Sequence, residues 1–224
     1  MLPRCGGPAV QGQPIESAMD HLLLGIADLD RGIEWVEEKT GVRAVIGGSH
    51  PGVGTRNALF SLGGRQYLEI IAPDPAQTTF TSNHDVRSLS EPRLINWAAA
   101  TKDIEAVAKR ARQDRQRLYG PRDGSRARPD GKLLKWKTLG VLNELGRGGI
   151  EPIPFFIEWA ADSVHPSQDS PAGCELRSLE IEHPQAEAVE RLLETLGVQT
   201  TVKSAPQARL VATLSTPLGE VQLS

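Results

Sequence analysis

Residues 21–41 read His-Leu-Leu-Leu-Gly-Ile-Ala-Asp-Leu-Asp-Arg-Gly-Ile-Glu-Trp-Val-Glu-Glu-Lys-Thr-Gly, and this stretch decides the fold. The apolar run Leu22-Leu23-Leu24-Gly25-Ile26 is too short for a buried helix and has no polar alternation, so it reads as a strand covered on both faces. Asp28 stands where a helix N-cap belongs, and Leu29, Ile33, Val36 and Thr40 follow at helical spacing. Gly41 supplies the left-handed residue that ends such a helix. Two strand-like stretches follow, around 42–46 and 57–62, joined by a Gly-rich loop. Gly63-Gly64 then marks a tight hairpin before Gln66–Ile71. The order is strand, helix, strand, strand, strand.

Working outward, the same order recurs. Leu94–Ala100 is apolar, Asp103 can cap, and Ile104, Val107, Ala108 and Ala111 share one helix face. A long hairpin follows, punctuated by Gly120, Gly124 and Gly131, with a strand over 132–138, and Ile153–Trp159 closes the unit. A third opening begins at Leu176, with Pro184 in a first helical turn, Val189, Leu192, Leu193 and Leu196 on one face, and Gly197 ending it. Strands are expected at 210–214 and 221–223. The recurrence implies an α+β fold of repeated βαβββ units whose strands join in one curved mixed sheet, a cup, with an extra C-terminal βαββ-type segment. The expected layout is a loose tail over 1–18, two units at 19–75 and 93–160 within a domain spanning 19–166, and a further unit at 174–224 on the same core.

With 39% hydrophobic and 24% charged residues in 224, the chain can bury a core and is neither disordered nor membrane-like in composition. No window approaches the roughly 20 apolar residues of a spanning helix, and no secretory signal is read. Cys5 and Cys174 lack zinc or redox spacing, so a cytoplasmic, reducing location is expected. The net charge of −3 conceals a basic segment: residues 109–137 hold 11 Lys and Arg, Arg126 and Arg128 among them, against 3 Asp, a local +8 that leaves −11 elsewhere. Such a segment is a solvated face or an attractor of small anions. Nucleic acid is not expected, because the global charge balance is acidic.

Glu69 and Glu158 are the informative pair, each inside an apolar strand (Tyr67-Leu68-Glu69-Ile70-Ile71 and Phe155-Phe156-Ile157-Glu158-Trp159). A buried carboxylate needs a metal, an Arg or a proton to compensate it. Each ends its unit, so pseudo-symmetry would bring them face to face in the cup. With them, His21 is a candidate nitrogen donor. Other candidates for binding are His50, Thr55, Arg56 and Asn57 around the Gly-rich loop, Trp97, Trp136 and Trp159 as walls, and His165 as an edge contact. His84 and His183 read as loop and cap residues.

These residues resemble the vicinal oxygen chelate superfamily and its glyoxalase-like group. The resemblance rests on Asp20-His21-Leu22 with Asp28, the loop Ser49–Asn57, the Tyr67–Ile71 strand, and the Pro154–Trp159 strand trailed by His165-Pro166. It implies a divalent metal (Zn, Mn, Ni or Fe) held by His21, Glu69 and Glu158, with Glu158 or Glu69 as proton shuttle in isomerase, lyase or dioxygenase chemistry on a small anionic or carbonyl-containing ligand. The pattern is incomplete. Matching Asp28 to Asp103, an offset of 75, puts Asn96 where His21 stands in the first unit, one ligand short. A metal-free small-molecule-binding protein is the alternative. Two full units imply that one chain completes its own cup; a homodimer through the C-terminal unit is compatible with this.

Overall fold

The computed structural model describes residues 12–127, 131 and 133–224. Cys5, residues 1–11 of the expected tail, Arg128 and Lys132 lie outside the described residues. The elements are β1 (Gln13–Pro14), α1 (Ile15–Ala18), β2 (Met19–Gly25), α2 (Leu29–Thr40), β3 (Val45–His50), β4 (Thr55–Ser61), β5 (Tyr67–Pro73), β6 (Arg93–Ala100), α3 (Ile104–Gln113), β7 (Arg117–Ala127), β8 (Leu133–Leu142), β9 (Phe155–Trp159), β10 (Glu175–His183), α4 (Ala186–Leu196), β11 (Val198–Gln199), β12 (Val202–Ser204), β13 (Arg209–Thr216) and β14 (Gly219–Leu223).

The two expected units are present and chemically bounded as read. The Asp28 carboxylate accepts from the Asp30 and Arg31 amides, Asp103 accepts from the Ala106 amide, and Gly41 closes α2 at φ 75°. In each unit the first strand pairs parallel with the last, and the remaining strands follow antiparallel. Antiparallel pairing of β2 with β6 joins the units into one eight-stranded sheet of order β3-β4-β5-β2-β6-β9-β8-β7. The sheet curls into a half-barrel, and its edge strands β3 and β7 approach each other. Arg126 on β7 donates from Nη1 to the Gly47 carbonyl on β3, so one residue of the basic segment ties the rim together. A single chain thus supplies both halves of the cup.

Alternation along the strands sorts side chains between two environments. Leu22 and Leu24, Ala58 and Phe60, Leu68 and Ile70, and Trp97 and Ala99 join α2, α3 and α4 in the main core. Between them Asn57, Tyr67, Glu69 and Ile71 face the cup. A smaller apolar cluster of Leu23, Ile71, Val86 and Ile95 fills part of the cup, with Phe80, Leu89 and Phe155 against it.

Three expectations change. The Gly-rich stretch is mostly strand: Gly52 (φ 75°) and Gly54 (φ 86°) confine the left-handed turn to 51–54, so His50 pairs with Thr55. Residues 13–18 are not a loose tail, because β1 pairs with β11 and Ile15, 2% exposed, anchors α1 in the core. The third unit repeats the order but not the pairing: β10 lies between β12 and β13 in a separate four-stranded sheet. Its helix still buries Val189, Leu192, Leu193 and Leu196 as read. Among the described residues no helix is long and apolar enough to cross a membrane. Cys174 is a free, buried thiol.

Ile15→Ala is expected to lower stability by about 2 kcal/mol or more, since it leaves a cavity under a docked segment. Urea unfolding checks this; an unchanged midpoint would mean that the segment is not docked in solution.

Candidate functional site

The cup's polar centre lies on β2, β3, β4 and β5 and is built around a bulge. Met19 pairs with Ala99 and His21 with Ala98, so Asp20 is an extra residue without its own partner. A bulge turns consecutive side chains toward one side of the sheet, and here it sets Asp20 beside His21. His21 Nδ1 lies 2.8 Å from Asp20 Oδ1. The second Asp20 oxygen accepts from Trp159 Nε1 at 3.1 Å and faces His165 Nε2 at 3.1 Å. His165 Nδ1 in turn accepts from the Ser167 amide at 3.3 Å, which puts the His165 hydrogen on Nε2, toward Asp20. Burial alone pushes the Asp20 carboxyl up, but the hydrogen bonds from His165 and His21 outweigh it and bring its pKa to about 2.

An ionised Asp20 fixes the His21 hydrogen on Nδ1. His21 Nε2 then faces Glu69 Oε2 at 3.5 Å, beyond a good hydrogen bond. Glu69 Oε1 accepts from Asn57 Nδ2 at 2.8 Å and lies 3.5 Å from His50 Nε2. His50 is held through Nδ1 by Thr55 Oγ1 at 2.8 Å. Burial, assisted by the charge of Arg126, pushes the His50 pKa down despite Glu69. Tyr67 stacks on the His21 ring at 4.5 Å, and Phe155 meets it edge-on at 5.5 Å. His21, Asn57 and Glu69 are buried, whereas the His50 side chain is 21% exposed. The His50 side of the cup is therefore the more open.

Glu158 does not join this centre. Phe155 and Trp159 contact His21 and Asp20, so alternation sends Phe156 and Glu158 to the opposite face of β9. There Glu158 Oε2 accepts from the Ile104 amide at 2.7 Å, at the N-terminus of α3. Register explains the asymmetry. Leu23 pairs with Glu69 in the first unit, and adding 75 to Leu23 gives Ala98, which pairs with Phe155. Phe155 occupies the place equivalent to Glu69, and Asn96 the place equivalent to His21. Two further expectations are corrected by the same alternation. Arg56 lies on the face of Ala58 and Phe60 rather than that of Thr55 and Asn57. Trp97 is wholly buried in the main core, its Nε1 donating to the Pro152 carbonyl at 3.0 Å. Trp136 packs against Trp159 with ring centroids 5.5 Å apart.

The divalent ion expected on His21, Glu69 and Glu158 does not fit this arrangement, because Glu158 and the other two stand on opposite faces. Among the described residues no three His, Cys, Asp or Glu side chains form a group that could hold a metal ion. What the centre offers is an imidazole oriented by one carboxylate and facing a second. Asp20 stands outside the site residues expected from the sequence, although Asp20-His21 is part of the motif that carries the resemblance.

Asp20→Asn is expected to cost about 2 kcal/mol at neutral pH, the equivalent of lowering a carboxyl from 3.8 to about 2. Because the folded pKa is depressed, that contribution is present above pH ~4 and lost as pH falls through about 2. Urea midpoints of wild type and variant should therefore converge in acid; a gap independent of pH would contradict the ionised Asp20.

The glyoxalase-like domain family model matches residues 19–197. No curated protein sequence matches the chain. Among solved structures, a hypothetical protein from Staphylococcus aureus is similar in fold, with a TM-score of 0.66 and 18% identity over 85% of this chain and 87% of that one. Methylmalonyl-CoA epimerase from Mycobacterium tuberculosis gives 0.41 and 20% identity over 71% and 91%. A Streptomyces coelicolor methylmalonyl-CoA epimerase in complex with 2-nitronate-propionyl-CoA gives 0.45 and 20% over 66% and 98%. With 179 of its 224 residues matched (19 through 197), the chain belongs to the glyoxalase-like domain family.

Proposed function

We propose that the protein is an enzyme that moves a proton at a carbon beside a carbonyl group of a small molecule, with His21 as the base. The observation that carries this reading is the Asp20–His21–Glu69 line, 2.8 Å on one side of the imidazole and 3.5 Å on the other. A base needs a free lone pair in a defined direction, and Asp20 supplies that by holding the hydrogen on Nδ1. When His21 Nε2 takes a proton, the imidazolium lies between the Asp20 and Glu69 carboxylates. Asn57 fixes Glu69, and the Tyr67 and Phe155 rings limit water around the imidazole. Returning the proton to the same or a neighbouring carbon is isomerase chemistry. A substrate enters from the His50 side, where the centre is least covered.

The test is deuterium incorporation in D2O, followed by proton NMR, over a panel of small 2-oxo acids and 2-hydroxy ketones. Wild type is expected to exchange the carbon-bound hydrogen of at least one member. His21→Ala and Glu69→Gln should slow the exchange by about 100-fold or more, while Glu158→Gln, which keeps an acceptor for the Ile104 amide, should not. Binding without exchange would favour the metal-free binding protein instead. Exchange that requires added Zn, Mn, Ni or Fe would restore the metal-dependent reading.

A further inference from the structure

A cavity of about 270 Å³ lies against the Leu23, Ile71, Val86 and Ile95 cluster, with Ile95 in its wall. Its lining includes His84, Asp85, Ser88, Arg93, Gly148 and Gly149. Its polar groups are mostly donors. Arg93 is half-buried, and its Nε is shielded from solvent without a hydrogen-bond partner among the described residues. A guanidinium nitrogen in that position carries a desolvation cost that an anion would relieve. Gly148 (φ 59°) and Gly149 (φ 80°) form the tip of a two-residue hairpin closed by paired bonds between Arg147 and Ile150. Those bonds leave the two glycine amides unused by the turn. The hairpin also permits a close approach, since a Cβ on Gly149 would lie 2.7 Å from Arg93 Nη2.

The histidine in this wall is held by Asn96. Asn96 Oδ1 accepts from the Trp97 amide at 2.7 Å, which orients the Asn96 side chain so that Nδ2 meets His84 Nε2 at 3.1 Å. His84 Nε2 is therefore an acceptor, and its hydrogen sits on Nδ1. The one acidic side chain in the lining, Asp85, already accepts from Arg87 Nε at 2.8 Å, so its charge is offset. Ser88 Oγ donates its one hydrogen to the Asp85 carbonyl at 3.1 Å and is not among the donors.

We propose that this cavity is a binding site for a small oxyanion, the carboxylate or phosphate group of a metabolite, with Arg93 as its principal partner and His84 Nδ1–H and the Gly148–Gly149 amides as further donors. The volume is below the roughly 300–1,000 Å³ of pockets that hold larger ligands, so it suits a small anion or an anionic end group rather than a nucleotide. The site uses none of the chemistry at His21 and stands or falls separately from it.

The experiment titrates the full chain with inorganic phosphate and, separately, acetate, at ionic strength held constant with sodium chloride, while NMR follows the His84 ring. Saturable binding that moves the His84 Nδ1 resonance is expected with at least one anion, and the tighter of the two identifies the source as phosphate or carboxylate. Arg93→Gln should weaken it by about tenfold or more, with Arg93→Lys between, because the charge remains but the fork is lost. Binding should persist in His21→Ala, which separates this site from the proposed catalytic one. A response that chloride reproduces, saturation that leaves His84 unmoved, or undiminished binding by Arg93→Gln would each overturn the proposal.

Discussion

The antiparallel pairing of β2 with β6 is the contact on which the rest of the molecule depends. It joins two units that each leave an uncovered first strand, and so removes two sheet edges at once. The pairing sets Leu22 opposite Trp97, with Asp20, His21, Asn96 and Ala98 close by. Every later assignment of a side chain to the cup or to the helix-covered core follows from that register, because a shift of one residue would exchange the two faces. The bulge at Asp20 is one of two local exceptions, the other falling at Ile95 on β6. The Asp20 bulge costs one ladder position and returns two adjacent polar residues on the same side of the sheet, which a regular strand cannot provide.

The two units share a backbone plan and divide its chemistry unequally. The first contributes Asp20, His21, His50, Asn57 and Glu69 to one polar centre. At the corresponding places the second presents Asn96 and Phe155, and its own strand-borne carboxylate, Glu158, serves the N-terminus of α3. An aromatic ring in place of a second glutamate makes the cup one-sided: it closes over His21 instead of adding a ligand to it. Asn96 is used differently again, holding His84 at the wall of the 270 Å³ cavity. Pseudo-symmetry has therefore been kept where packing requires it and abandoned where polar groups face the interior.

Much of this was legible in the chain. Asp28 with Gly41, and Asp103 ahead of Ile104, declare helix boundaries through local hydrogen bonding, which sequence encodes directly. Glu69 is legible as a carboxylate in an apolar strand that demands a partner, His21 as a nitrogen donor beside it, and His50 and Asn57 as polar residues of the Gly-rich stretch; the structure brings these four together. The face of Glu158 was not legible, since Phe-Phe-Ile-Glu-Trp has no alternation to orient it. Arg56 is grouped with its neighbours Thr55 and Asn57, which a strand sends to the opposite side, and the tryptophan expected as a wall at position 97 faces the helix-covered core instead. The pairing of β10 between β12 and β13 is set by which edges remain open after the larger sheet forms, and no short stretch of the third unit carries that information.

The orientation of His21 by Asp20 is the claim on which the proposed chemistry rests, and nitrogen-15 NMR of the histidine rings at neutral pH tests it most directly. The expected result is a hydrogen on His21 Nδ1, seen as a one-bond coupling to a downfield proton in a hydrogen bond to the Asp20 carboxylate. A His21 ring whose Nδ1 bears no hydrogen would contradict it, because Nε2 would then carry the proton and could not serve as the base.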